Sequence, residues 1–454
     1  MKDYDMTSGS LMKKILLFSL PLMMSQVLQV FFNMADVAVV GKFASANALG
    51  SVGSTTILVT LFTGFLIGLG SGVNVVVAKH LGAKDHKAAT QVIHTAFLIC
   101  LVAGIIIAVI CLLLATPLLA LIKTKDNLID GAVMYFRVYA LGMPALGIFN
   151  FGNAVLSANG DTKRPLTYLT IAGVLNIVLN LFFVIVCNMA ATGVALASII
   201  SQYVSAVLIM WHMIRDEGIC NFNFKNVRIY SGRSRAILIL GLSAGMQNAI
   251  FAIANLFIQV GINSFDSTIV AGNSAATNAD TLIYNLMAAF YTACSTFMGQ
   301  NLGAGNKKRV LKSYLISLFY SFATGALLGG LLFIFGREFL SFFTNSSEVI
   351  DAGMEKIKIM GLSYCVSAFM DCTIAASRGI GKSLVPTVIV IIGSCVFRVV
   401  WVYTIFAYFK TIPSLYLLYV FSWAITGFFE IIYFIKSYRF NNFNNSNLLD
   451  NYYS

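Results

Sequence analysis

Residues 14–41 read KILLFSLPLMMSQVLQVFFNMADVAVVG. This apolar run is longer than the roughly 20 residues that a helix needs to cross a bilayer. Asp36, near its far end, is the only acidic residue in the run. A charged side chain at the bilayer centre costs about 2.5–3.5 kcal/mol on insertion scales. The run therefore predicts a membrane-spanning helix. Because its acid carries an energetic cost, the run also predicts that this acid has a function.

The neighbours of Asp36 support this interpretation. Asn33 lies one helical turn before it on the same face, and Gln26 lies about three turns before it. An intramembrane acid either takes part in transport of ions or substrates or is neutralised by a structural partner. No basic residue inside this helix could neutralise Asp36, so the functional role is favoured.

The composition identifies an integral membrane protein. Of the 454 residues, 58% are hydrophobic and 11% are charged, whereas soluble domains carry about 25% charged residues. The net charge of +12 does not indicate nucleic-acid binding, because the basic residues form short clusters between apolar runs, as topogenic loops do. The eight cysteines and four histidines show no CxxC or HExxH spacing. With no nucleophile–base pair visible either, we expect neither an enzyme nor a bound cofactor.

Twelve membrane helices are predicted in an all-α fold. Their approximate spans are 14–41, 52–78, 89–118, 131–157, 166–187, 190–214, 236–263, 275–298, 311–336, 353–378, 384–408 and 414–436. A basic linker at 215–235 separates an N-terminal six-helix lobe, 1–214, from a C-terminal lobe, 236–436. The Asn-rich tail at 437–454 is expected to be disordered. Most of the 30 Lys and Arg residues fall on the side of both termini, which predicts cytoplasmic termini in a cell membrane.

The two lobes repeat each other at an offset of 221 residues. Leu81-Gly82-Ala83 recurs as Leu302-Gly303-Ala304, and the same shift relates Gly160 to Gly381, Pro165 to Pro386 and Gln26 to Gln247. Because six helices is an even number, the lobes are expected to be related by a pseudo-two-fold axis along the membrane normal and to enclose a central cavity. Asp36 maps onto Phe257, and Asp371 maps onto Asn150, one turn before Asn153. Each lobe thus has one acid that breaks the repeat.

These residues resemble the multidrug and toxic compound extrusion (MATE) family over almost the whole chain. The first-helix pattern of that family appears as Leu20-Pro21 with Asn33, Asp36 and Gly41. Further matching motifs are Leu81-Gly82-Ala83, residues 299–305 (GQNLGAG), residues 159–163 (NGDTK), residues 175–180 (LNIVLN) and residues 377–381 (SRGIG).

The resemblance implies an exporter that exchanges small organic, often cationic and amphipathic, compounds for sodium ions or protons. It implies that Asp36 and Asp371 couple transport to these cations, with no cofactor beyond the coupling ion. We expect the chain to act as a monomer in the lipid bilayer, without a nucleic-acid partner. Two departures from the family pattern leave the identity of the coupling ion open. Asn180 stands where members with a carboxylate relay have Asp, and the seventh helix carries Gln247, Asn248, Asn255 and Gln259 instead of a glutamate.

Several polar residues are further candidates for ion or substrate binding: Asn150, Asn153, Asn176, Asn180, Asn255 and Gln259. The alternative for each is a hydrogen bond to a neighbouring helix. Asp371 is either an ion site or the structural partner of Arg398 on the next helix. Asp280 and Glu430 are expected to be solvated near helix ends. Near Asp36 the neutral oxygens of Asn33, Asn153, Asn176 and Asn180 outnumber the acids, which slightly favours a sodium site at Asp36.

One alternative function is a flippase for lipids or lipid-linked oligosaccharides, from the wider superfamily. Such a protein is expected to have extra helices and a cavity rich in basic groups that bind pyrophosphate. Arg137 and Arg398 are the basic residues that lie well inside the predicted helices, and the others fall in loops or near helix ends, so the exporter is favoured.

Overall fold

The computed structural model describes residues 5–440, apart from the side chain of residue 46. Twelve long helices and no β-strand are present in this range, as the sequence predicts. In chain order they are α1 Leu11–Phe43, α2 Ala46–Gly82, α3 His86–Leu121, α4 Asp126–Ala140 with Met143–Ala158, α5 Lys163–Leu181, α6 Ala190–Arg215, α7 Ser231–Ile262, α8 Ser267–Gly303, α9 Lys307–Ser341, α10 Ser347–Gly379, α11 Leu384–Phe409 and α12 Ile412–Phe440. A short 3-10 helix, Phe224–Asn226, lies between α6 and α7.

Most helices extend several residues beyond the predicted spans. The 37 residues of α2 make it about 55 Å long at 1.5 Å per residue, more than the roughly 40–45 Å of a whole bilayer. The apolar pattern marks only the segment in hydrocarbon, whereas the helix continues into the polar zone on each side. At the chain end, α12 includes residues 437–440 of the predicted tail. The rest of that tail, 441–454, lies outside the described residues.

Eleven of the helices, with bent α4 counted as one, are long and apolar enough to span a membrane. The exception is α8. Its sequence includes Asn273, Thr277 and Asp280. Asn273 Oδ1 accepts a hydrogen bond from the Tyr416 hydroxyl, Thr277 Oγ1 accepts one from Lys356 Nζ, and Asp280 forms an ion pair with Lys356. A helix enclosed by protein needs fewer apolar residues than one that faces lipid.

Side-chain caps set where several helices begin. Each capping side chain accepts a hydrogen bond from a backbone N–H in the first turn, which would otherwise be unpaired. The caps are Ser45 for α2, Asp85 for α3, Asp266 for α8, Asn306 for α9 and Ser346 for α10. These short polar residues explain why the turns between helices are so brief.

Two kinds of irregularity interrupt the helices. The two parts of α4 are bent by 45° at Leu141 and Gly142, where Pro144 follows in the first turn of the second part and cannot donate a backbone hydrogen bond. The other kind is the π-helical turn. One such segment, Phe182–Val186, continues α5, and two more, Ile391–Val396 and Val402–Phe406, lie within α11 on either side of Arg398.

The described residues divide into two compact units. Unit 1 contains Asp5 and residues 27–249, and unit 2 contains residues 6–26 and 250–440. The first part of α1 therefore belongs to unit 2 and its second part to unit 1, while α7 contributes its first part to unit 1 and its second part to unit 2. The lobes predicted from the sequence, 1–214 and 236–436, remain a prediction, because a division into compact units does not test which parts of the chain move together.

In unit 1, α2 and the first part of α7 approach closely through glycines. A Cβ atom built on Gly68 would lie 2.4 Å from the backbone nitrogen of Gly245, and one on Gly72 would lie 2.4 Å from that of Gly241. Gly70 instead faces the backbone of Asn150 in α4, at 3.3 Å. These glycines allow close helix contact, as small residues do in membrane proteins.

The predicted linker 215–235 is ordered and packs on α3 within unit 1. Phe222 is buried, and its ring lies 4.7 Å from that of Phe97 and 5.0 Å from the His94 ring, centroid to centroid. The backbone N–H of Asn223 donates to His94 Nε2 at 3.2 Å. This segment is therefore a docked part of unit 1.

Unit 2 has a comparable close contact and an anchored N-terminus. A Cβ atom on Gly329 in α9 would lie 1.9 Å from the Gly361 carbonyl oxygen in α10. The guanidinium of Arg309 donates to the carbonyl oxygens of Met6, Ser8 and Gly9 at 2.9–3.1 Å. The segment before α1 is thereby held against the start of α9.

Candidate functional site

A hydrogen-bonded cluster in unit 1 surrounds the acid that the sequence singles out. Half-buried Asp36 in α1 accepts a hydrogen bond from Asn180 Nδ2 in α5. The same nitrogen donates to Asn176 Oδ1 at 3.2 Å, and Asn176 Nδ2 donates to Ser198 Oγ in α6 at 3.4 Å. Asn176 and Asn180 share a face of α5 because they are four residues apart. Three helices therefore contribute to one polar cluster.

The cluster offers several oxygen atoms to a cation. Asn180 is fully buried, yet its Oδ1 atom has no hydrogen-bond partner among the described residues. Such unpaired buried acceptors are uncommon in folded proteins. With the Asp36 carboxylate and the other amide oxygen, this atom forms a donor set of one acid and several neutral oxygens. Hard cations prefer oxygen ligands of this kind.

Aromatic hydroxyl groups border the cluster on the α4 side. The rings of Tyr135 and Tyr139 stack with centroids 6.0 Å apart, and the Tyr139 hydroxyl accepts a hydrogen bond from Gln202 Nε2 at 3.3 Å. Tyr135 and Tyr139 pack in the same apolar cluster as Val39 and Val40, which lie one turn after Asp36 in α1. The sequence reasoning missed these residues and Ser198. A usable signal existed in α6, where Ser198 and Gln202, four residues apart, put a polar stripe on one face of an apolar helix.

The other predicted residues lie elsewhere or bind within their own helices. Asn150 Nδ2 donates to the Leu146 carbonyl oxygen at 2.9 Å, and Asn153 Oδ1 accepts from Ser157 Oγ at 3.4 Å. Gln259 Nε2 donates to Asn263 Oδ1 at 2.8 Å. Asn33 and Asn255 are exposed, and half-buried Gln26 belongs to unit 2. Of the predicted residues, Asn176 and Asn180 are the ones whose hydrogen bonds connect them to Asp36.

In unit 2, Asp371 and Arg398 are both buried, with 7% and 3% of their surfaces exposed. They do not approach within 4.0 Å as an ion pair in the described part of the chain. The guanidinium of Arg398 instead lies 4.7 Å from the Tyr419 ring centroid, and its Nε donates to Ser422 Oγ at 3.1 Å. Asp371 Oδ2 has no hydrogen-bond partner among the described residues.

Two acids that the sequence places near solvated helix ends are inside unit 2, so that expectation is wrong. Asp280 forms an ion pair of 2.7 Å with Lys356, which is 5% exposed, and accepts a hydrogen bond from the Tyr364 hydroxyl. Glu430 is fully buried. The expectation failed because α8 and α12 extend well past the predicted ends, which places both acids farther inside their helices.

No cluster of three or more His, Cys, Asp or Glu residues suited to a transition metal occurs within residues 5–440. In the described part of the chain, Asp36 and Asp371 form no ion pair within 4.0 Å, and Asp36 lies among neutral oxygens. Such an arrangement suits the transient binding of protons, sodium ions or organic cations.

Comparison with known proteins agrees with this geometry. The MatE family model matches residues 21–182 and again residues 244–404, which supports the internal repeat. The chain is 28% identical to "Probable multidrug resistance protein YpnP" of Bacillus subtilis over 80% of this chain and 81% of that one. It is 24% identical to "Probable multidrug resistance protein NorM" of Thermotoga maritima over 88% and 86% of the two chains.

The fold is likewise similar to that of solved transporters. The structure described as the outward-facing conformation of a multidrug resistance MATE family transporter superposes with a TM-score of 0.89. The two sequences are 21% identical, and the match covers 97% of this chain and 98% of that one. With a family model that covers most of the chain and a shared twelve-helix fold, this chain belongs to the MatE family, the multidrug and toxic compound extrusion transporters.

Proposed function

We propose that this protein is a secondary active exporter of small organic compounds, driven by an inward flow of cations that bind at Asp36. The observation that carries the proposal is the hydrogen bond between Asn180 and Asp36 inside unit 1. An acid within a membrane helix, joined to a buried amide with an unpaired oxygen, is suited to bind and release a cation. The names of the related proteins, which refer to multidrug resistance, support the substrate class.

Exchange follows from competition for one negative charge. A proton, a sodium ion or an organic cation each stabilises the Asp36 site, and one carboxylate neutralises a single positive charge at a time. Coupling further requires that the bound cations favour different conformations of the protein, because a ligand with equal affinity for two states shifts neither. The proposal therefore includes alternating access.

Sodium is the coupling ion that we propose for the Asp36 site. Sodium must replace its water shell with several oxygen atoms, whereas a proton needs only one titratable group. The cluster supplies the carboxylate together with the side-chain oxygens of Asn176 and Asn180, and the hydroxyl groups of Ser198 and Tyr139 lie at its border. Neutral oxygens thus outnumber acids in the cluster, which supports sodium, although Asn33 and Asn153, also expected there, are not joined to it.

The proposed substrates are cationic and amphipathic. The tyrosine pair at positions 135 and 139 offers aromatic faces next to the acid, and organic cations bind such faces. Asp371 is proposed as a second cation-coupling residue, since it is buried and has an unpaired carboxylate oxygen. We place the protein in the cell membrane as a monomer, with both termini in the cytoplasm.

The experiment is transport of a fluorescent organic cation by proteoliposomes in which one gradient is imposed at a time. An inward sodium gradient at equal pH is expected to drive export, and Asp36→Asn is expected to abolish it while the protein stays folded. Asp130→Asn is the matched control, because this acid is exposed near the start of α4. Export driven only by a pH gradient would exclude sodium coupling, and normal export by Asp36→Asn would exclude the Asp36 mechanism.

A further inference from the structure

A cavity of about 510 Å³ lies in unit 1 along α2, α3 and the first part of α7. Its lining side chains are all apolar and include Phe62, Leu69, Ile99 and Leu242. Ile106, also in the lining, is 52% exposed, so the cavity is a groove that opens on the surface of the helices. On a membrane-spanning protein such a surface faces lipid chains.

The length of the groove corresponds to one leaflet of a bilayer. Its lining on α3 extends from Leu98 to Ile110, which is about 18 Å at 1.5 Å per residue. Half of a hydrocarbon core of about 30 Å is about 15 Å. The groove is therefore long enough to hold a single acyl chain from one leaflet.

One end of the groove is strongly basic. Ile229, which belongs to the segment between α6 and α7, lines the groove and is 65% exposed. Residues 225–235 contain four basic residues and no acidic one. Lys225 and Arg228 are exposed, and Arg228 lies next to Ile229 with its guanidinium 4.5 Å from the Tyr230 ring centroid.

This basic end is fixed in place on α3. The Thr95 hydroxyl donates to the Arg228 carbonyl oxygen at 3.4 Å and accepts from the Tyr230 N–H at 3.3 Å. Nearby, the Phe224 ring packs edge-on against Phe97, with centroids 6.0 Å apart. Cationic side chains are therefore held at the opening of an apolar groove.

We propose that this groove is a binding site for an anionic phospholipid. One acyl chain lies along α3 between α2 and α7, and the phosphate group contacts Lys225 and Arg228. Basic clusters beside membrane helices attract anionic headgroups, and a zwitterionic lipid that filled the same groove would gain less from these charges. This inference does not depend on the transported compound or the coupling ion.

The test is local quenching of tryptophan fluorescence by brominated lipids. The full chain, with Trp211, Trp401 and Trp423 replaced by Phe, carries a reporter at the groove, Ile106→Trp, or a control reporter at Ile105→Trp. Ile105 is 45% exposed on the same helix but does not line the groove. In phosphatidylcholine vesicles, brominated phosphatidylglycerol is expected to quench the groove reporter more than brominated phosphatidylcholine does. At the control reporter, the two brominated lipids are expected to quench equally.

Removal of the charges separates headgroup binding from simple filling of the groove. Lys225→Gln with Arg228→Gln is expected to weaken the preference for phosphatidylglycerol about fivefold per charge. Lys308→Gln with Lys312→Gln removes two exposed charges from unit 2 and is expected to leave the preference unchanged. Equal quenching by the two lipids at Ile106→Trp, or equal loss in both charge variants, would overturn the proposal.

A second measurement needs no tryptophan changes. Native mass spectrometry of the natural chain, released from mixed phosphatidylglycerol and phosphatidylcholine, is expected to show retained phosphatidylglycerol that Lys225→Gln with Arg228→Gln reduces. Retention that is identical in the two proteins would contradict the assigned site.

Discussion

The side-chain amide of Asn180 donates a hydrogen bond to the carboxylate of Asp36, although 144 residues separate the two in sequence. The same nitrogen also donates to Asn176 Oδ1 at 3.2 Å. A neutral amide at position 180 keeps a single negative charge in this cluster. In the proposed mechanism, this pair therefore sets how many positive charges the site binds in each cycle.

We expect Asn180→Asp to change the coupling ion. Two carboxyl groups in contact cannot both be ionised at low cost, so the variant would bind a proton along with any other cation. Export by proteoliposomes is expected to become dependent on a pH gradient. Asn180→Leu, of similar size but without an oxygen, is the control and is expected to lose sodium-driven export. Unchanged sodium-driven export in both variants would show that Asn180 is not part of the ion site.

The separation of Asp371 from Arg398 makes a prediction about stability. Because Arg398 binds Tyr419 and Ser422 and forms no close ion pair with Asp371, we expect Arg398→Gln to lower stability by a similar amount with and without Asp371→Asn. Additivity within about 0.5 kcal/mol is typical of residues that do not interact directly. Thermal unfolding in detergent measures both effects. If Asp371→Asn restores the stability that Arg398→Gln loses, the two residues are a structural pair.

The ion pair between Asp280, which is partly buried, and Lys356, which is buried, should contribute to folding. Lys356→Met removes the partner, at 2.7 Å, of an acid whose side chain is 20% exposed. Loss of one member of a buried pair costs about 3–5 kcal/mol, and we expect the lower end of that range. Replacing both, with Asp280→Leu and Lys356→Met, is expected to recover most of that loss, because no unpaired charge remains. Arg337→Met, which breaks an exposed pair with Asp351, is the matched control and should change stability little.

The close contact of α2 with α7 gives a prediction about glycine. Gly68→Ala places a Cβ atom 2.4 Å from the Gly245 backbone nitrogen, so the helices must move apart and the unfolding temperature is expected to fall. Gly53→Ala is the control in the same helix, since a Cβ there meets no atom within 4 Å. Alanine should stabilise the helix at that site by about 0.5–1 kcal/mol. Equal effects of the two substitutions would contradict the assigned contact.

The predicted topology can be tested with thiol reagents. Cys187 is exposed after α5, on the side predicted to be outside. In a chain that keeps only this cysteine, an impermeant reagent added to whole cells is expected to label it. A chain with Lys308→Cys as its only cysteine should be labelled only after the membrane is opened. Lys308 is exposed, and its replacement leaves intact the side chain of Asn306, which caps α9. Labelling of both from outside would exclude the twelve-helix topology.

Much of the fold could be predicted from the sequence. Apolar runs of about 20 residues must form helices in a bilayer, because hydrocarbon offers no hydrogen-bond partner to the backbone. This constraint gave the number and order of the helices, including α8, whose polar residues make it the least apolar. Helix ends were less predictable, because polar turns beyond the hydrocarbon continue a helix without changing the apolar pattern.

Within the candidate site, the sequence by itself determined that Asp36 is exceptional, since an acid in an apolar helix carries an energetic cost wherever its neighbours lie. Only the tertiary structure decided its partners. It brought Asn176 and Asn180 to Asp36, left Asn33 exposed on the same helix as the acid, and enclosed Asp280 with Lys356. The physical reason is that a helical pattern fixes which residues share a face, whereas contact between helices distant in sequence decides whether that face meets lipid or protein.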